Sequence, residues 1–425
     1  MKKTIVPVFA AAFGLAFTAF ADGEIVDRPG GITIGQRLTL RPYVSFSYTF
    51  DSNVDSSRNS SSSGSSSFVV SPRLTADYAS ENWSVNAGVY YDYHAYTGSS
   101  RNLNSHSYGE NVDVTWNSLG LNDEGGKGWN LTLGQSYRMI SQDDDMTNSD
   151  GRGIGRDRQQ FTIDGALGHY FTERFHANVH AGYYWLDYKN DQESYAPLYG
   201  WSRANVGGQL GYTASKYLDF LLVGQWHWYE QDNNVNASVF DRDDGQRHLG
   251  NNSDGWTVQA GIGTHATERL SYRALVGWSR FNYADSQSAD GFTYTLSSQY
   301  KVSDSLSMML MGSSYYQPNE RHYASGNKVY TISYGLSKSF VKGQWNATFD
   351  MSYRYEDACA CSNSSADYGE DVLTARVGLN YRINRFVSCF GRVEYQTEWT
   401  HGGEGIGNDY DYDRWRATVG FTLSY

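Results

Sequence analysis

The chain has 425 residues and a net charge of −12, with 35 Tyr, 12 Trp and only 6 Pro. This acidic balance argues against nucleic acid as a partner. Abundant Tyr and Trp are typical of a surface that crosses two membrane–water interfaces, where a ring with a polar tip is favoured.

The first 21 residues have the pattern of a secretory signal peptide. Two lysines precede an apolar run over residues 5–20, and Ala19-Phe20-Ala21 fits a cleavage site. A membrane anchor is the alternative, and it is disfavoured because the run is too short to span a bilayer comfortably. We expect residues 22–36 to form a short periplasmic segment that is too short for a plug domain.

Short segments of alternating apolar and polar residues fill the rest of the chain. In the first of them, Val44, Phe46 and Tyr48 fall on one face, and Ser45 and Ser47 fall on the other. This period of two predicts β-strands with one apolar and one polar face. We count eighteen such segments, and aromatic residues cluster at both ends of their apolar faces. An apolar band between two aromatic girdles is typical of a membrane-spanning barrel.

One segment, residues 218–230, fits this pattern less well than the others. Leu221 and Val223 put apolar side chains on its polar face. The sequence therefore leaves the frame of this strand open.

The connections between the segments alternate in length. Short turns are predicted at residues 80–82, 172–174, 215–216, 267–269, 303–305, 342–344 and 383–385, with a longer one at 120–128. Longer polar loops are predicted at residues 51–67, 97–107, 141–156, 231–253, 317–327, 357–370 and 401–411. Short turns on one side and long loops on the other are typical of bacterial outer-membrane barrels, whose short turns are periplasmic.

These patterns together predict an all-β fold for residues 37–425. We expect a transmembrane antiparallel up-and-down β-barrel of about eighteen strands, with long extracellular loops and short periplasmic turns. A β-propeller and a soluble β-sandwich are the alternatives. Neither explains the one-sided loop lengths or the two aromatic girdles.

The last predicted strand ends the chain with alternate apolar residues, of which Phe421, Leu423 and Tyr425 are the final three. Outer-membrane barrels end on a strand with an aromatic terminal residue, which their assembly machinery reads. We therefore predict that these three residues are an assembly signal. The implied location is the outer membrane, with the barrel assembly machinery, lipid and lipopolysaccharide as partners.

Charged residues fall on the polar faces, which a barrel of this size turns toward a water-filled lumen. The arginines near the end of the chain form a predicted basic wall: Arg354, Arg376, Arg392, Arg414 and Arg416. Asp92, Asp113 and Asp164 form a predicted acidic wall elsewhere on the circumference. Two such walls are expected to produce a transverse field that sets ion selectivity. The alternative is that these side chains form salt-bridge ladders that keep a polar wall folded.

Aromatic residues on the polar faces are a second predicted feature of the lumen. The apolar faces of sugar rings stack on aromatic rings, so such residues are candidates for a saccharide track. The candidates are Tyr43, Tyr90, Tyr184, Tyr229, Phe386 and Phe390. The alternative is that they only pack against neighbouring lumen side chains.

The sequence does not predict catalysis, a cofactor or a metal site. His94 and Asp92 share one strand face. His176 and His180 lie too far apart along a strand to share a metal ion without further ligands. An enzyme is therefore not expected.

Three cysteines do not make a disulfide framework. Cys359 and Cys361 lie two apart in a polar loop, and whether they pair stays open, because so small a ring is strained. Cys389 falls on the apolar face of a predicted strand.

The start of the barrel resembles a known family. A Tyr-rich strand closes on the run Asp51-Ser52-Asn53-Val54 at the first loop. This pattern is similar to the beta-barrel porin type 2 family, whose members continue as a bare barrel of this size to a terminal aromatic residue. The chain departs from the family in its Ser-rich first loop and in ending on Tyr rather than the commoner Phe.

The resemblance implies an outer-membrane pore. For some members it implies a port for exopolysaccharide beside a periplasmic polysaccharide-export protein.

Three functions stay open at this point. The chain is expected to be a conduit for polysaccharide export that works with a periplasmic partner. One alternative is a general or selective diffusion porin for small solutes. The other is a closed barrel whose loops serve adhesion or the cell surface.

Overall fold

Nearly all of the described chain is β-strand. The structure is a computed structural model that describes residues 31–34, 37–53, 64–97, 104–120, 128–143, 156–188, 200–215, 217–231, 252–264, 269–283, 288–318, 326–359, 369–401 and 411–425. Within these ranges, no helix is long and apolar enough to cross a bilayer.

The strands follow one another along the chain without an intervening α-helix in the described ranges. They are β1 (Ile32–Ile34), β2 (Leu38–Asp51), β3 (Ser65–Ala79), β4 (Trp83–Tyr96), β5 (Ser105–Asn117), β6 (Trp129–Asp143), β7 (Arg156–Tyr170), β8 (Phe175–Tyr188), β9 (Trp201–Ser215), β10 (Leu218–Gln231), β11 (Ser253–Gly263), β12 (Leu270–Tyr283), β13 (Ser288–Ser303), β14 (Leu306–Pro318), β15 (Gly326–Phe340), β16 (Trp345–Cys359), β17 (Gly369–Arg382), β18 (Val387–His401) and β19 (Tyr412–Ser424). A short 3₁₀ helix, Val341–Gly343, joins β15 to β16.

Eighteen of these strands, β2 to β19, form one closed ring. Each pairs antiparallel with the next along the chain, and β19 pairs back with β2, from Arg416 opposite Asp51 to Ser424 opposite Tyr43. The short strand β1 pairs with the first residues of β2. The predicted up-and-down barrel of about eighteen strands is confirmed.

The strands turn their apolar faces outward. Val419 is 60% exposed and Val179 is 58% exposed, because none of the described residues covers the outer surface at these positions. The lumen faces carry the polar residues that alternate with them. Closure joins the first strand of the ring to the last, so the backbone N–H and C=O groups of neighbouring strands satisfy one another along most of the wall.

The fold resolves the frame of β10, which the sequence leaves open. Phe220 and Leu222 lie on the outer face, 52% and 48% exposed, whereas Leu221 is 7% exposed. Leu221 lies opposite Gly261 of β11, and Leu275 of β12 lies opposite the same glycine. The two leucines therefore face the lumen on either side of Gly261, and Leu221 Cδ1 lies 3.0 Å from where a Cβ on Gly263 would be.

Most connections are short at one end of the barrel, here called the short-turn end, and longer at the other, here called the loop end. The exceptions are the longer β5–β6 connection at the short-turn end and the short β12–β13 connection at the loop end. At the short-turn end, β3–β4, β7–β8, β9–β10, β13–β14 and β17–β18 are each joined by no more than four residues. Local hydrogen bonds close these turns: the Asn384 carboxamide oxygen accepts from the backbone N–H groups of Phe386 and Val387 at 2.8 and 3.0 Å. The start of β2 and the end of β19 both lie at this end.

The ladder between β13 and β14 is incomplete at the loop end. These strands pair from Ser303 up to Thr295, which lies opposite Ser313. Among the described residues, residues 288–294 of β13 have no backbone pairing with β14. The Ser314 hydroxyl instead accepts one hydrogen bond, from the Tyr294 backbone N–H at 3.1 Å.

The loop end of β14 bends into the lumen instead. Tyr316 packs against Phe281 and Tyr283 of β12, whose side chains are buried on the lumen face. A side chain at Gly291 of β13 would meet the Tyr316 hydroxyl at 2.6 Å. Glycine is therefore required there for this close approach.

Some predictions lie outside the described residues. The signal peptide over residues 1–21 and most of the segment over residues 22–36 do so, and both stay predictions. The pairing of Cys359 with Cys361 also stays a prediction, because Cys361 is not among the described residues. Cys389 is a free cysteine.

Candidate functional site in the barrel lumen

The lumen is the candidate site, because every strand contributes alternate side chains to it. Residues far apart in the chain meet there across neighbouring strands.

The predicted basic wall on β16 to β19 is largely a network of ion pairs. Arg376 donates from Nε to a Glu394 carboxylate oxygen at 2.7 Å, and Arg354 contacts Glu356. Arg416 also reaches Glu394, with an N–O distance of 3.5 Å. The positive charge of these arginines is therefore partly offset by the two glutamates.

Asp51 joins the last strand to the first within this network. Arg414 donates to it from Nε and Nη2 at 2.9 and 2.6 Å, and Arg416 donates from Nε at 3.0 Å. The Asn53 backbone N–H donates to the same carboxylate at 3.0 Å. Asp51 and Arg414 are only 6% and 4% exposed, so this pair is buried.

Arg392 differs from the other four arginines. It is exposed to the lumen, and among the described residues it forms no ion pair or hydrogen bond. It is therefore the member of the basic wall whose charge is not compensated locally.

The predicted acidic wall lies on β4 to β7. Asp92 is 3.5 Å from the guanidinium of Arg73 and accepts from the Ser107 hydroxyl at 3.3 Å. Asp113 and Asp164 flank a glycine of β6, where an added Cβ would lie 3.1 and 3.0 Å from their carboxylate oxygens. The basic and acidic sets are separated by β2 and β3 on one side and by β8 to β15 on the other.

Two of the six track candidates come together. Tyr184 of β8 and Tyr229 of β10 flank Trp201 of β9, with ring centroids 4.6 and 5.1 Å from the tryptophan. These three rings form a row near the loop end of the lumen, which we call the aromatic row.

The other four candidates lie apart from the aromatic row. Tyr90 lies beside Arg73, whose guanidinium carbon is 5.3 Å from the ring centre. Tyr43 and Phe390 lie near the short-turn end of their strands, and Phe386 lies in the turn between β17 and β18. The six residues therefore do not form one continuous row.

The sequence analysis misses a cavity of about 290 Å³ beside the aromatic row. The inward bend of β14 closes one side of it, through Tyr315, Tyr316 and Gln317. Its remaining lining comes mainly from β9 to β12 and includes Trp201, Arg203, Gln225, His227, Gln259 and Phe281. The available signal is Trp201 alternating with Arg203 on a polar face, but the cavity itself depends on how six strands, β9 to β14, align.

The predicted assembly signal lies on the outer face of β19 at the short-turn end. Phe421 stacks on Phe46 of β2, with ring centroids 5.1 Å apart. Tyr425 is 63% exposed, and its backbone N–H donates to the carbonyl of Pro42 at 3.2 Å. These aromatic residues lie along the seam where β19 meets β2.

Metal-ligand clusters are absent from the described ranges. No group of three or more His, Cys, Asp or Glu side chains there is arranged to hold a metal ion.

Comparison with known proteins gives limited information. No protein-family model matches this chain, and no curated protein matches it. Among solved structures, the chain is similar to the FrpB iron transporter from Neisseria meningitidis (F5-1 variant), at 7% identity and a TM-score of 0.49 over 92% of this chain and 83% of that chain. It is also similar to the siderophore receptor PirA from Pseudomonas aeruginosa, at 7% identity and a TM-score of 0.44 over 91% of this chain and 80% of that chain.

Likenesses this weak carry no conclusion about what this chain binds. The topology of the molecule itself has the features of an outer-membrane β-barrel: an even number of antiparallel strands, closure, and an apolar outer face. Membership of the porin type 2 family stays a prediction.

Proposed function

We propose that this protein is an outer-membrane channel that passes saccharides. The observation that carries the proposal is a closed wall of eighteen strands, apolar outside and lined by charged, amide and aromatic side chains inside. An apolar outer surface of this kind requires a bilayer around it. Barrels of this size leave an aqueous channel rather than a packed interior.

The specific role we propose is that of a conduit for polysaccharide export. The porin type 2 resemblance at Asp51-Ser52-Asn53-Val54 supports it, and so does the aromatic row of the lumen. In this role a periplasmic polysaccharide-export protein docks on the short turns. We propose no enzymatic role.

Selective diffusion of small solutes is the second candidate. It is favoured by the inward bend of β14, because a strand end that lies across the lumen narrows the opening available to a long polymer. Both candidates require an open lumen, and they differ in the size of the molecule that passes.

Single-channel conductance of the purified barrel in a planar bilayer tests these proposals. A large and stable conductance that added oligosaccharides block is expected for a saccharide conduit. Large conductance without block favours general diffusion of solutes. Absence of conductance contradicts both proposals and favours a closed barrel that acts through its loops.

We also propose that the two charged walls set ion selectivity. Neutralising Arg376, Arg392 and Arg416 together is expected to shift the reversal potential toward cation selectivity. The matched control, Arg376→Gln with Glu394→Gln, removes an ion pair without changing net charge and should leave the reversal potential nearly unchanged. Unchanged selectivity in the triple variant would mean that these side chains only keep the wall folded.

A further inference from the structure

The cavity beneath the bent end of β14 has the composition of a ligand site. Its volume is about 290 Å³, and it opens onto the aromatic row near the loop end of the lumen. Aromatic rings, amides, hydroxyls and one arginine line it. A mixed lining of rings and a few convergent polar groups is typical of small-molecule sites.

Aromatic rings supply two sides of the cavity. Trp201 stacks with Tyr229 at a centroid distance of 5.1 Å and an interplanar angle of 24°. His227 of β10 stacks with Phe281 of β12 at 5.8 Å and 29°, across Gly255 of β11. Flat apolar surfaces of this kind suit the C–H face of a pyranose ring.

Arg203 provides a cation that no described residue neutralises. It lies opposite Tyr229 on β10 and opposite Tyr184 on β8, so it is in the centre of the aromatic row. Its side chain is exposed to the lumen, and in the described part of the chain it forms no ion pair or hydrogen bond. A guanidinium in this position has its donor groups available for a carboxylate on a ligand.

Trp201 provides a second donor without a partner. Its indole Nε1 is buried and donates to no acceptor within the described ranges. Buried polar groups are almost always hydrogen-bonded, so an orphaned donor in a cavity wall indicates a missing acceptor. A ligand hydroxyl or carboxylate oxygen satisfies this requirement.

Amide and hydroxyl groups complete the polar part of the lining. Gln259 donates to Thr293 at 3.4 Å and accepts from Thr295 at 3.1 Å, and Gln225 donates to Asn205 at 3.3 Å. These contacts hold the two amides in place on β10 and β11. Amides that both donate and accept are suited to sugar hydroxyl groups.

We infer that this cavity binds an acidic sugar unit, with Arg203 on the carboxylate and the Trp201 ring beneath the pyranose. The inference deepens the proposed function and rests on it for its physiological meaning. It names the substrate class: a saccharide that carries carboxylate groups, rather than a neutral one. Arg203, which has no ion-pair partner among the described residues, favours the acidic class over the neutral one.

Calorimetric titration of the detergent-solubilised barrel tests the inference. The probe is a hexamer of galacturonic acid, and maltohexaose serves as the neutral comparison. We expect the acidic hexamer to bind more tightly than the neutral one. Arg203→Gln should weaken binding of the acidic hexamer by at least about tenfold, because a charge-assisted hydrogen bond is lost.

Three further variants separate a binding role from a structural one. Trp201→Phe removes the indole N–H and keeps a ring, so its loss should be smaller than that of Arg203→Gln. Arg203→Lys retains the charge and should recover part of the affinity. Arg138→Gln is the matched control, because Arg138 is also exposed on a lumen face, on β6, without an ion pair in the described ranges.

The outcomes distinguish this inference from the proposed function. Titration needs no open channel, so a barrel that does not conduct still tests the cavity. Equal affinity for the two hexamers, no binding of either, or an unchanged affinity in Arg203→Gln overturns the inference. A conducting barrel with any of these results leaves the channel proposal standing.

Discussion

At the scale of single residues, the buried pair of Asp51 and Arg414 is the most consequential contact in the wall. The two residues are separated by 363 positions in the chain and meet where β2 and β19 close the ring. Burying a charge is costly unless it is paired and hydrogen-bonded, and here both partners are. The pair therefore stabilises the junction of β2 and β19 only while both side chains are charged.

Arg414→Gln is expected to lower the free energy of unfolding by about 3 kcal/mol, because it leaves the Asp51 carboxylate buried without its main partner. The measurement is urea-induced unfolding of the barrel in lipid vesicles. Arg416→Gln is the control, since Arg416 is more exposed and its loss should cost about 1 kcal/mol or less. Equal losses in the two variants would show that burial does not govern this contact.

Arg414 also shows which features of a single residue can be predicted from the sequence and which cannot. Its place on a polar strand face follows from the alternation Arg414, Trp415, Arg416. Its partner does not follow, because Asp51 reads as the first residue of a loop. The contact depends on the register between the first and last strands, which no local pattern specifies.

At the scale of strands, the bend of β14 shows how one glycine changes the wall. Gly291 places no side chain on the lumen face of β13, and the Tyr316 hydroxyl lies where that side chain would be. A side chain at position 291 would hold β14 away. Tyr316 would then have to shift and lose its contacts with Phe281 and Tyr283.

Gly291→Val is expected to lower the free energy of unfolding by about 1–3 kcal/mol through overpacking. It should also raise single-channel conductance, because the bent end of β14 no longer lies across the lumen. Gly391→Val is the control for stability alone, since a Cβ at position 391, on the outer face opposite Val419, meets nothing within 4 Å. A stability loss in Gly291→Val without a change in conductance would mean that the bend does not narrow the channel.

The two faces of β19 provide a second test at this scale. Val419→Arg places a charge on the outer face near mid-strand and is expected to cost about 2–4 kcal/mol in lipid vesicles. Thr418→Arg places the same charge on the lumen face and should cost much less. Similar losses for the two variants would contradict the assignment of the apolar face to lipid.

Strand patterns are predictable where the period of two is strong, as at Val419 and Phe421. They are less predictable where a lumen face is apolar. Leu221 breaks the pattern because it faces the lumen beside Gly261 and Gly263 of β11, with Leu275 of β12 on the far side of Gly261. Such an arrangement is decided by neighbouring strands rather than by its own segment.

At the scale of the whole molecule, the fold follows from the sequence and much of the candidate site does not. Alternation and one-sided loop lengths together limit the architecture to a closed barrel. The cavity combines Trp201, Gln225, Gln259, Phe281 and Tyr316, which come from five different strands. Its existence depends on cross-strand alignment and on the bend of β14, neither of which has a local signal.

Assembly into the membrane is a property of the whole chain, and the end of β19 is predicted to direct it. Tyr425→Ala should reduce the amount of heat-modifiable barrel in the outer membrane to a small fraction of the wild-type amount. The same variant should still refold in detergent, because Tyr425 is 63% exposed and contributes little packing. Ser424→Ala is the control, and an equal defect there would argue against a side-chain signal.

The closure of β19 on β2 has a consequence for the order of folding. Every other pair of neighbouring strands in the ring is adjacent in the chain. The pair of β19 and β2 instead joins the two strands of the ring that are farthest apart in the sequence. Contacts of such high contact order form late, since the whole intervening chain must be positioned first. The barrel therefore remains an open sheet with two unpaired edges until its final step. During that interval those edges need protection from pairing with other chains.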